Sequence, residues 1–191
     1  MTKEDIIALP NPHLRQKSRR VGVITDEIRQ VVREMEEATI DWDQSRAHES
    51  GVALAAVQID RLYKIVVVRN DYNDKDNHEF TVFINPEITK LEGEIKADFE
   101  GCLSVPDIYG KVPRHTKVRV RALGLNGKQF RVTAEGFLAR IFQHEIDHCN
   151  GIVFIDHIKG DPEAFFRLNE EGKLEPQDYE KDVKDNTILW Q

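Results

Sequence analysis

The feature that most constrains this sequence is a helical segment with two histidines four residues apart, His144 and His148. Residues at this spacing lie on one face of a helix, so both rings can bind one metal ion. The same face continues upstream with the apolar residues Phe137 and Ile141, which indicates that it is buried. Buried imidazoles need partners for their nitrogens. The pattern therefore favours a metal-binding helix over two histidines on a solvated surface.

Glu145 directly follows the first of these histidines. From this position a carboxylate can reach the water that a bound metal activates without ligating the metal itself, which is the general-base role in His-Glu-x-x-His sites. In a chain with seven histidines the pattern arises by chance on the order of once in a hundred sequences. The class of site therefore depends on a third ligand.

Several sources of a third ligand can be compared. Metzincin proteases place another histidine where this chain has Phe154, which excludes that class. A thermolysin-like zinc endopeptidase would use a downstream glutamate, for which the chain offers Glu163, Glu170 and Glu171. The other candidate is Cys102, because a thiolate is a strong, soft ligand. A purely structural zinc site is a further alternative, but such sites are normally closed by four protein ligands and three are evident here.

Cys149 is the second of two cysteines. It lies one residue after His148, which rotates its side chain about 100° off the ligand face, so a role as a small buried hydrophobic residue is favoured. A disulfide between Cys102 and Cys149 is the alternative. Two cysteines are too few for a secreted domain stabilised by disulfides.

Hydrophobic periodicity predicts two helices and several short strands. A capped amphipathic helix is expected over residues 26–38, followed by an exposed loop over residues 39–50, and the histidine-bearing helix is expected from about Thr133 to Asn150. Strands are expected at residues 62–68, 80–84 (closed by Asn85 and Pro86), 117–122 and 129–132, the last two joined by a turn at Asn126 and Gly127. This pattern predicts an α+β fold, with antiparallel β-sheets packed around a central metal-binding helix and an additional N-terminal helix.

Length and composition limit the organisation and the partners of the chain. With 191 residues, 40% of them hydrophobic, it is long enough for one sizeable core and short for two. Residues 1–9 do not resemble a secretory signal, and no apolar run approaches the roughly 20 residues of a membrane span. A net charge of -7 argues against binding to nucleic-acid phosphates. We therefore expect a cytoplasmic protein with no DNA or membrane partner.

Three separated motifs resemble those of the peptide deformylase family. Residues 51–58 (Gly-Val-Ala-Leu-Ala-Ala-Val-Gln) are similar to the family's Gly-x-Gly-Leu-Ala-Ala-x-Gln, residues 100–104 are identical to its Glu-Gly-Cys-Leu-Ser, and residues 143–148 are similar to its Gln-His-Glu-x-Asp-His. Order and spacing agree as well, and the likeness runs from about Ile7 through Ile158. Members of this family remove the formyl group from the N-terminal formyl-methionine of new polypeptides and release formate.

The resemblance implies a role for each residue of the candidate site. Glu145 would be the acid and base of the reaction, and Gln58 and the backbone N–H of Leu103 would form the oxyanion hole. The substrates would be N-formylmethionyl nascent peptides. One Fe(II), which zinc, nickel or cobalt can replace, would be bound by Cys102, His144 and His148.

The resemblance also implies a set of substrate-binding residues. Backbone groups of residues 52–54 would pair with the substrate peptide as an added strand. Glu100 and Arg114 would be supporting charges near the site, with an ordinary surface ion pair as the alternative. The complete set is Gly51, Val52, Ala53, Leu54, Glu100, Gly101, Arg114 and Ile141.

The chain departs from the family pattern at a few positions. Ala53 replaces the second glycine of the first motif, and a Cβ at this position would restrict φ or narrow the approach of substrate. Val57 and Cys149 stand where proline and leucine are common, and both keep apolar character. We expect only Ala53 to alter activity or substrate range.

The C-terminal segment is acidic. Residues 159–191 contain nine acidic and five basic side chains, which accounts for -4 of the net charge of -7. We expect residues 1–158 to form the catalytic domain and residues 159–191 to be a tail that packs on this domain or extends from it. In some bacterial family members a basic C-terminal helix binds ribosomal RNA, whereas phosphates would repel this tail. Any ribosome contact is therefore expected to be transient and weak.

Overall fold

Antiparallel strands and two long helices build the part of the chain, residues 1–46 and 48–190, that a computed structural model describes. The strand order is β1-β2-β3-β4-β6-β7, and β5 also pairs with β4. The predicted α+β class with an N-terminal helix is confirmed. The elements are α1 (Asp26–Gln44), β1 (Ala53–Ala55), β2 (Ile65–Arg69), β3 (Phe80–Cys102), β4 (Val105–Leu123), β5 (Gln129–Glu135), α2 (Gly136–Cys149), β6 (Phe165–Leu168) and β7 (Leu174–Pro176).

Shorter helical turns connect these elements. Four are 3₁₀ turns and one is a π turn. None of the helices in the described residues is long and apolar enough to cross a membrane. The short turns are Lys3–Asp5, Pro12–Arg15, Ala56–Ile59, Phe154–Ile158 and Tyr179–Val183.

Strand β3 is much longer than the sequence predicts. Asn85 and Pro86 were expected to end it, and this prediction is wrong, because the ladder shifts register between Ile84 and Glu87 and then continues to Cys102. At such an irregularity the missing N–H of proline costs little. Asn85 adopts φ 52°, and its side-chain amide exchanges two hydrogen bonds with the backbone of Val21. The strand consequently reaches the candidate site.

Helix α1 is also longer than predicted. Thr25 caps its start as expected, but residues 39–44, predicted as loop, continue the helix. Thr39, Trp42 and Asp43 are buried because they extend the inward-facing stripe begun by Ile28 at helical spacing. The stripe was missed because threonine and aspartate are not apolar. Of the rest of the predicted loop, residue 47 lies outside the described residues.

Helix α2 occupies the centre of the fold and packs against strands β1, β4 and β5. The sequence predicted its start near Thr133, which is wrong, because Thr133 still pairs with Arg119 as part of β5. The strand-to-helix change occurs at Gly136, whose φ of +58° suits glycine. Cys149 is its last residue, as the stop signal at Asn150 predicted.

The C-terminal segment packs beside the candidate site. Strand β6 pairs with β4 at residues 108–110. Phe165, Val183 and Leu189 are buried in the same apolar cluster as Val105 and Cys102. The side chains that close this cluster therefore come from both ends of the chain.

A buried ion pair holds the end of α1 against β2. Asp43 and Arg69 pair at 3.2 Å with both side chains fully buried. Asp43 Oδ1 also accepts a hydrogen bond from the Gly51 N–H at 2.8 Å. The pair thus fixes the chain just before β1, which lines the candidate site.

We expect Asp43→Ala to lower the free energy of unfolding by about 3 to 5 kcal/mol, because the Arg69 guanidinium would stay buried without its anion. The matched control is Glu135→Ala, which removes an exposed pair with Lys117 and should destabilise the fold far less. Urea unfolding followed by circular dichroism measures both values. Equal destabilisation by the two variants would contradict this role of the buried pair.

Candidate metal centre

A tight hairpin brings the thiol of Cys102 to helix α2. Cys102 pairs with Val105, so only Leu103 and Ser104 form the turn between β3 and β4. The Cys102 Sγ lies 3.2 Å from His148 Nε2, and the ligand atoms of Cys102, His144 and His148 all lie within 4.8 Å of one another. The predicted convergence of these three side chains is confirmed. The alternative disulfide is wrong, since both cysteines are free.

The donor set fits a divalent metal. A sulfur and two imidazole nitrogens are the ligands of transition metals such as zinc and iron. Burial lowers the pKa of His148 well below its ordinary value, which keeps the ring neutral as ligation requires. For His144 burial also lowers the pKa, but hydrogen bonds to Cys102 and Glu100 outweigh it and raise the pKa. Cys102 and Glu100 thus both stabilise positive charge at His144, and they would also stabilise a metal cation bound there.

Glu100 fixes the orientation of His144. Its Oε2 lies 3.0 Å from His144 Nδ1, which leaves Nε2 for a metal. Arg114 donates to both carboxylate oxygens, at 2.9 and 3.1 Å, and Arg140 donates to Oε1 at 2.7 Å. Burial alone would raise the pKa of Glu100, but the bonds from His144 and Arg114 hold it well below its ordinary value. Glu100 is therefore an anion in the fold.

Arg114 is buried, so the alternative that Glu100 and Arg114 form an ordinary surface pair is wrong. The Arg114 guanidinium also donates to Asp147 Oδ2 at 2.5 Å, and Asp147 in turn contacts the partly exposed His157. Arg114 therefore links Glu100 to Asp147. Arg140 was missed by the sequence reasoning, because its position on the ligand-bearing helix gave no sign of an acidic partner 40 residues earlier.

Glu145 lies beside the ligands with one oxygen free. It is buried, and its Oε2 has no hydrogen-bond partner among the described residues. Burial raises the pKa of its carboxyl to about 7, against an opposing effect of His144. An unpaired buried carboxylate oxygen is costly unless a ligand or solvent satisfies it. The side chain therefore suits proton exchange with a bound molecule.

Gln58 presents its amide to the same site. Its Oε1 accepts the backbone N–H of Ala55 at 2.9 Å, which orients the amide nitrogen. That nitrogen lies 3.2 Å from Ser104 Oγ and 3.7 Å from Cys102 Sγ. Backbone bonds from the N-terminal segment, Ile7 to the Gln58 carbonyl and Leu9 to the Ser104 carbonyl, hold both loops in place.

Gln58, Cys102, His144 and Glu145 line a cavity of about 510 Å³. Of the residues predicted to bind substrate, Val52, Ala53, Glu100, Gly101 and Ile141 line it together with Leu103. Several lining side chains were missed in the sequence, because they come from a predicted loop, from a loop tip, from strand positions without a motif or from the start of α2. These are Trp42, His48, Glu49, Tyr72, Phe99, Tyr109, Phe137 and Arg140.

The remaining predicted residues lie behind the cavity wall. Leu54 is fully buried against α1, and Arg114 lies behind Glu100. A Cβ on Gly51 would come within 2.9 Å of the Thr39 carbonyl oxygen, so glycine is required there for close packing on α1. Ala53 is part of β1, where the backbone is extended, a conformation that any residue can adopt. The expected restriction of φ by the Cβ of Ala53 is therefore absent.

The other two residues that differ from the family pattern pack in the core. Val57 is fully buried in the cluster around α2. Cys149 belongs to the same cluster, and burial raises the pKa of its thiol to about 12. The interpretation of Cys149 as a small buried hydrophobic residue is confirmed.

Comparison with known proteins identifies the family. Residues 3–163 match the family model described as polypeptide deformylase. The chain belongs to this family. It is 44% identical over 163 residues to a peptide deformylase of Thermomicrobium roseum, covering 83% of this chain and 88% of that protein. It is 40% identical over 153 residues to one from Acinetobacter baumannii, with coverages of 80% and 81%.

Solved deformylase structures have a similar fold. One from Synechococcus elongatus, in complex with actinonin, gives a TM-score of 0.73 at 35% identity and covers 82% of this chain and 80% of its own. One from Legionella pneumophila gives a TM-score of 0.71 at 39% identity, with coverages of 80% and 83%. The activity of this chain is thus that of a peptide deformylase, a metal-dependent hydrolase, and its Cys102, His144 and His148 triad agrees with it.

The endopeptidase alternative has no support in the geometry. Glu163, Glu170 and Glu171 are all exposed, and none belongs to the group whose ligand atoms converge. A structural zinc site is also disfavoured, since three protein ligands leave one position of a tetrahedral ion open.

We expect Cys102→Ser to weaken zinc affinity by more than about a hundredfold, because a neutral hydroxyl replaces a thiolate ligand. Competition with a chelator of known affinity measures the change. The matched control is Cys149→Ser, which alters a buried thiol outside the triad and should retain one zinc per chain. Unchanged affinity in Cys102→Ser, with loss of zinc in Glu163→Ala, Glu170→Ala or Glu171→Ala, would instead support a glutamate ligand.

Proposed function

We propose that this chain hydrolyses the formyl group from the N-terminal formyl-methionine of newly synthesised polypeptides and releases formate. The observation that carries the proposal is the convergence of the ligand atoms of Cys102, His144 and His148 next to the cavity that Glu145 and Gln58 line. The family match over residues 3–163 supports the same reaction.

The proposed native cofactor is one Fe(II), with zinc, nickel or cobalt able to replace it. The mixed sulfur and imidazole donor set supports this choice, because all four ions accept such ligands. When bound, the ion would polarise the formyl oxygen and increase the acidity of water. The open coordination position expected from three protein ligands leaves room for the substrate.

Glu145 is the proposed acid and base. Its free Oε2 faces no competing donor among the described residues, and a carboxyl with a pKa of about 7 exchanges protons readily at neutral pH. It would take a proton from the attacking water and then deliver it to the leaving amine. The new amino terminus and formate are the products.

Gln58 and Leu103 form the proposed oxyanion hole. The Ala55 N–H donates to Gln58 Oε1 and so orients the amide, and Nε2, which here donates to Ser104 Oγ and Cys102 Sγ, would donate to the formyl oxygen when substrate is bound. The backbone N–H of Leu103, in the tight turn after Cys102, would be the second donor. Both would stabilise negative charge as it develops on the formyl oxygen.

The substrate peptide is proposed to add as a strand to β1. Strand β1 lies at the edge of the sheet and pairs only with β2 in the described residues, so its outer edge, apart from the Ala55 N–H that donates to Gln58, is open to pairing with a peptide. Val52 and Ala53 line the cavity along this edge, and Gly51 and Leu54 would act indirectly by holding it against α1.

Four further residues complete the proposed binding set. Gly101 and Ile141 would contact the methionine side chain, since both line the cavity beside the ligands. Glu100 lines the same wall and orients His144. Arg114 would act through Glu100 and is therefore a positioning residue.

We further propose that residues 1–158 supply the catalytic machinery, that residues 159–191 belong to the same domain, and that the protein acts in the cytoplasm. Pairing of β6 with β4 and burial of Phe165 support a single domain. Ribosome contact is proposed to be transient, because phosphates would repel the acidic C-terminal segment.

The central test is hydrolysis of formyl-Met-Ala-Ser by protein prepared without oxygen with Fe(II). Glu145→Gln is expected to lower kcat by about a hundredfold to ten-thousandfold, because the acid and base is removed. Metal content measured on the same samples shows whether the triad still assembles. Formate release that survives Glu145→Gln at full metal content would remove Glu145 from this role.

Gln58→Leu is expected to lower kcat/KM by about a hundredfold to a thousandfold, since one donor to the oxyanion is lost. The similar volume of leucine keeps the buried position filled. The measurement is steady-state kinetics with the same peptide, alongside zinc affinity. A loss of zinc affinity that accounts for the whole decrease would assign Gln58 a structural role instead.

Ribosome association is expected to be weak, with most of the protein remaining in the supernatant after cosedimentation at about 0.1 M salt. Glu170→Lys with Glu171→Lys, two exposed positions of the acidic segment, should increase the bound fraction. Tight, salt-sensitive cosedimentation of the unaltered chain that depended on residues 160–191 would defeat this prediction.

A further inference from the structure

One face of helix α2 lines the catalytic cavity from the reactive carboxylate outward. Glu145, Ile141 and Phe137 follow one another at intervals of four residues, and all three line this cavity. Residues at this spacing lie on one helical face, about 6 Å apart along the axis. Glu145 and Ile141 are buried, whereas Phe137 is exposed by 50%. The face therefore leads from the reactive group, over an apolar side chain, to an aromatic ring nearer the surface.

The loop between β2 and β3 brings a second aromatic ring to the same place. The Tyr72 ring packs edge-on against Phe137 with centroids 5.3 Å apart, and Tyr72 lines the catalytic cavity as well. Lys75 of this loop donates to the backbone carbonyls of Arg46 and Glu49, both at 3.0 Å. The loop is thus tied to the segment that leads into β1. Edge-on packing against a held ring fixes the orientation of the Phe137 ring.

The proposed strand addition directs substrate side chains toward this face of α2. Ala53 and Ala55 of β1 pack in the same apolar cluster as Ile141, whereas Leu54 packs in the cluster around α1. Side chains of a strand added beside β1 would alternate between the same two sides of the sheet. Those on the α2 side would meet Ile141, one helical turn from Glu145. The first side chain of a substrate whose formyl group lies at Glu145 therefore has an apolar path along α2.

We propose that Tyr72, by holding the Phe137 ring, ends the pocket for this first side chain and limits its length to about that of methionine. This inference rests on the proposed function and concerns its specificity. Along the axis of α2, Phe137 lies about 12 Å from Glu145. A formyl amide and an extended methionine side chain span roughly 8 Å, so the terminal methyl ends about one contact distance, roughly 4 Å, from this ring. Two further methylenes would have to displace the ring.

The test uses tripeptides of the form formyl-X-Ala-Ser that differ only in the first side chain. X is methionine, norleucine, which has the same length, or 2-aminooctanoic acid, which is two methylenes longer. In an apolar pocket without an end, two extra methylenes would raise kcat/KM about tenfold. We expect the unaltered chain to hydrolyse the 2-aminooctanoic acid peptide no better than the norleucine peptide, because the two rings block the longer side chain.

In Tyr72→Ala the Phe137 ring loses its partner and is free to turn aside. The ratio of kcat/KM for the longer side chain to that for norleucine should then rise about tenfold. Phe137→Ala removes the ring itself and should raise the ratio at least as much. A general loss of folding or of metal lowers kcat/KM for both peptides alike, so the ratio separates a limit on length from damage to the fold.

Two control variants should keep the ratio of the unaltered chain. Tyr72→Phe retains a ring against Phe137, and Tyr63→Ala removes a tyrosine that does not line the cavity. A tenfold preference of the unaltered chain for the longer side chain overturns the proposal, because the pocket then has no end. A ratio that Tyr72→Ala leaves unchanged also overturns it, even where Phe137→Ala raises the ratio. Absence of hydrolysis of the methionine peptide would instead reject the proposed function.

Discussion

The geometry of the metal centre depends on one buried carboxylate, that of Glu100. It joins three elements, because it lies on β3, pairs with Arg114 on β4, and contacts Arg140 and His144 on α2. Burying two guanidinium groups without an anion would be costly, so the cluster holds only when β3 and α2 keep one relative position. Cys102 follows Glu100 by two residues and is thereby held at His148.

The polar groups around the site fall into two kinds. Those that set geometry are fully bonded: Glu100 has three cationic or imidazole partners, and the Gln58 carbonyl oxygen is tied to Ala55. By contrast, the buried Oε2 of Glu145 has no hydrogen-bond partner in the part of the chain described. A fold tolerates such unpaired buried atoms mainly where a ligand or a reaction uses them. Hydrogen bonds thus fix the residues that hold the site, whereas the reactive carboxylate keeps one oxygen free for a ligand.

The long β3–β4 hairpin supplies one wall of the catalytic cavity. Its tight turn carries Cys102 and Leu103 to the ligand-bearing helix. The edge strand β1 forms another wall, where Val52 and Ala53 line the cavity. The turn of the hairpin and the edge strand therefore face one space, although they are about 50 residues apart in the chain.

The sequence by itself determined the local chemistry: the histidine pair with Glu145 between them, the thiol of Cys102 as the preferred third ligand, the antiparallel strands and the start of α1. Those features follow from spacing along the chain and from the chemistry of single side chains. Only the tertiary structure decided the continuation of β3 past Pro86, the helical state of residues 39–44, and the place of Arg140 beside Glu100. Each depends on contacts between residues far apart in sequence, such as Asn85 with Val21 and Asp43 with Arg69, and periodicity along the chain carries no information about such pairs.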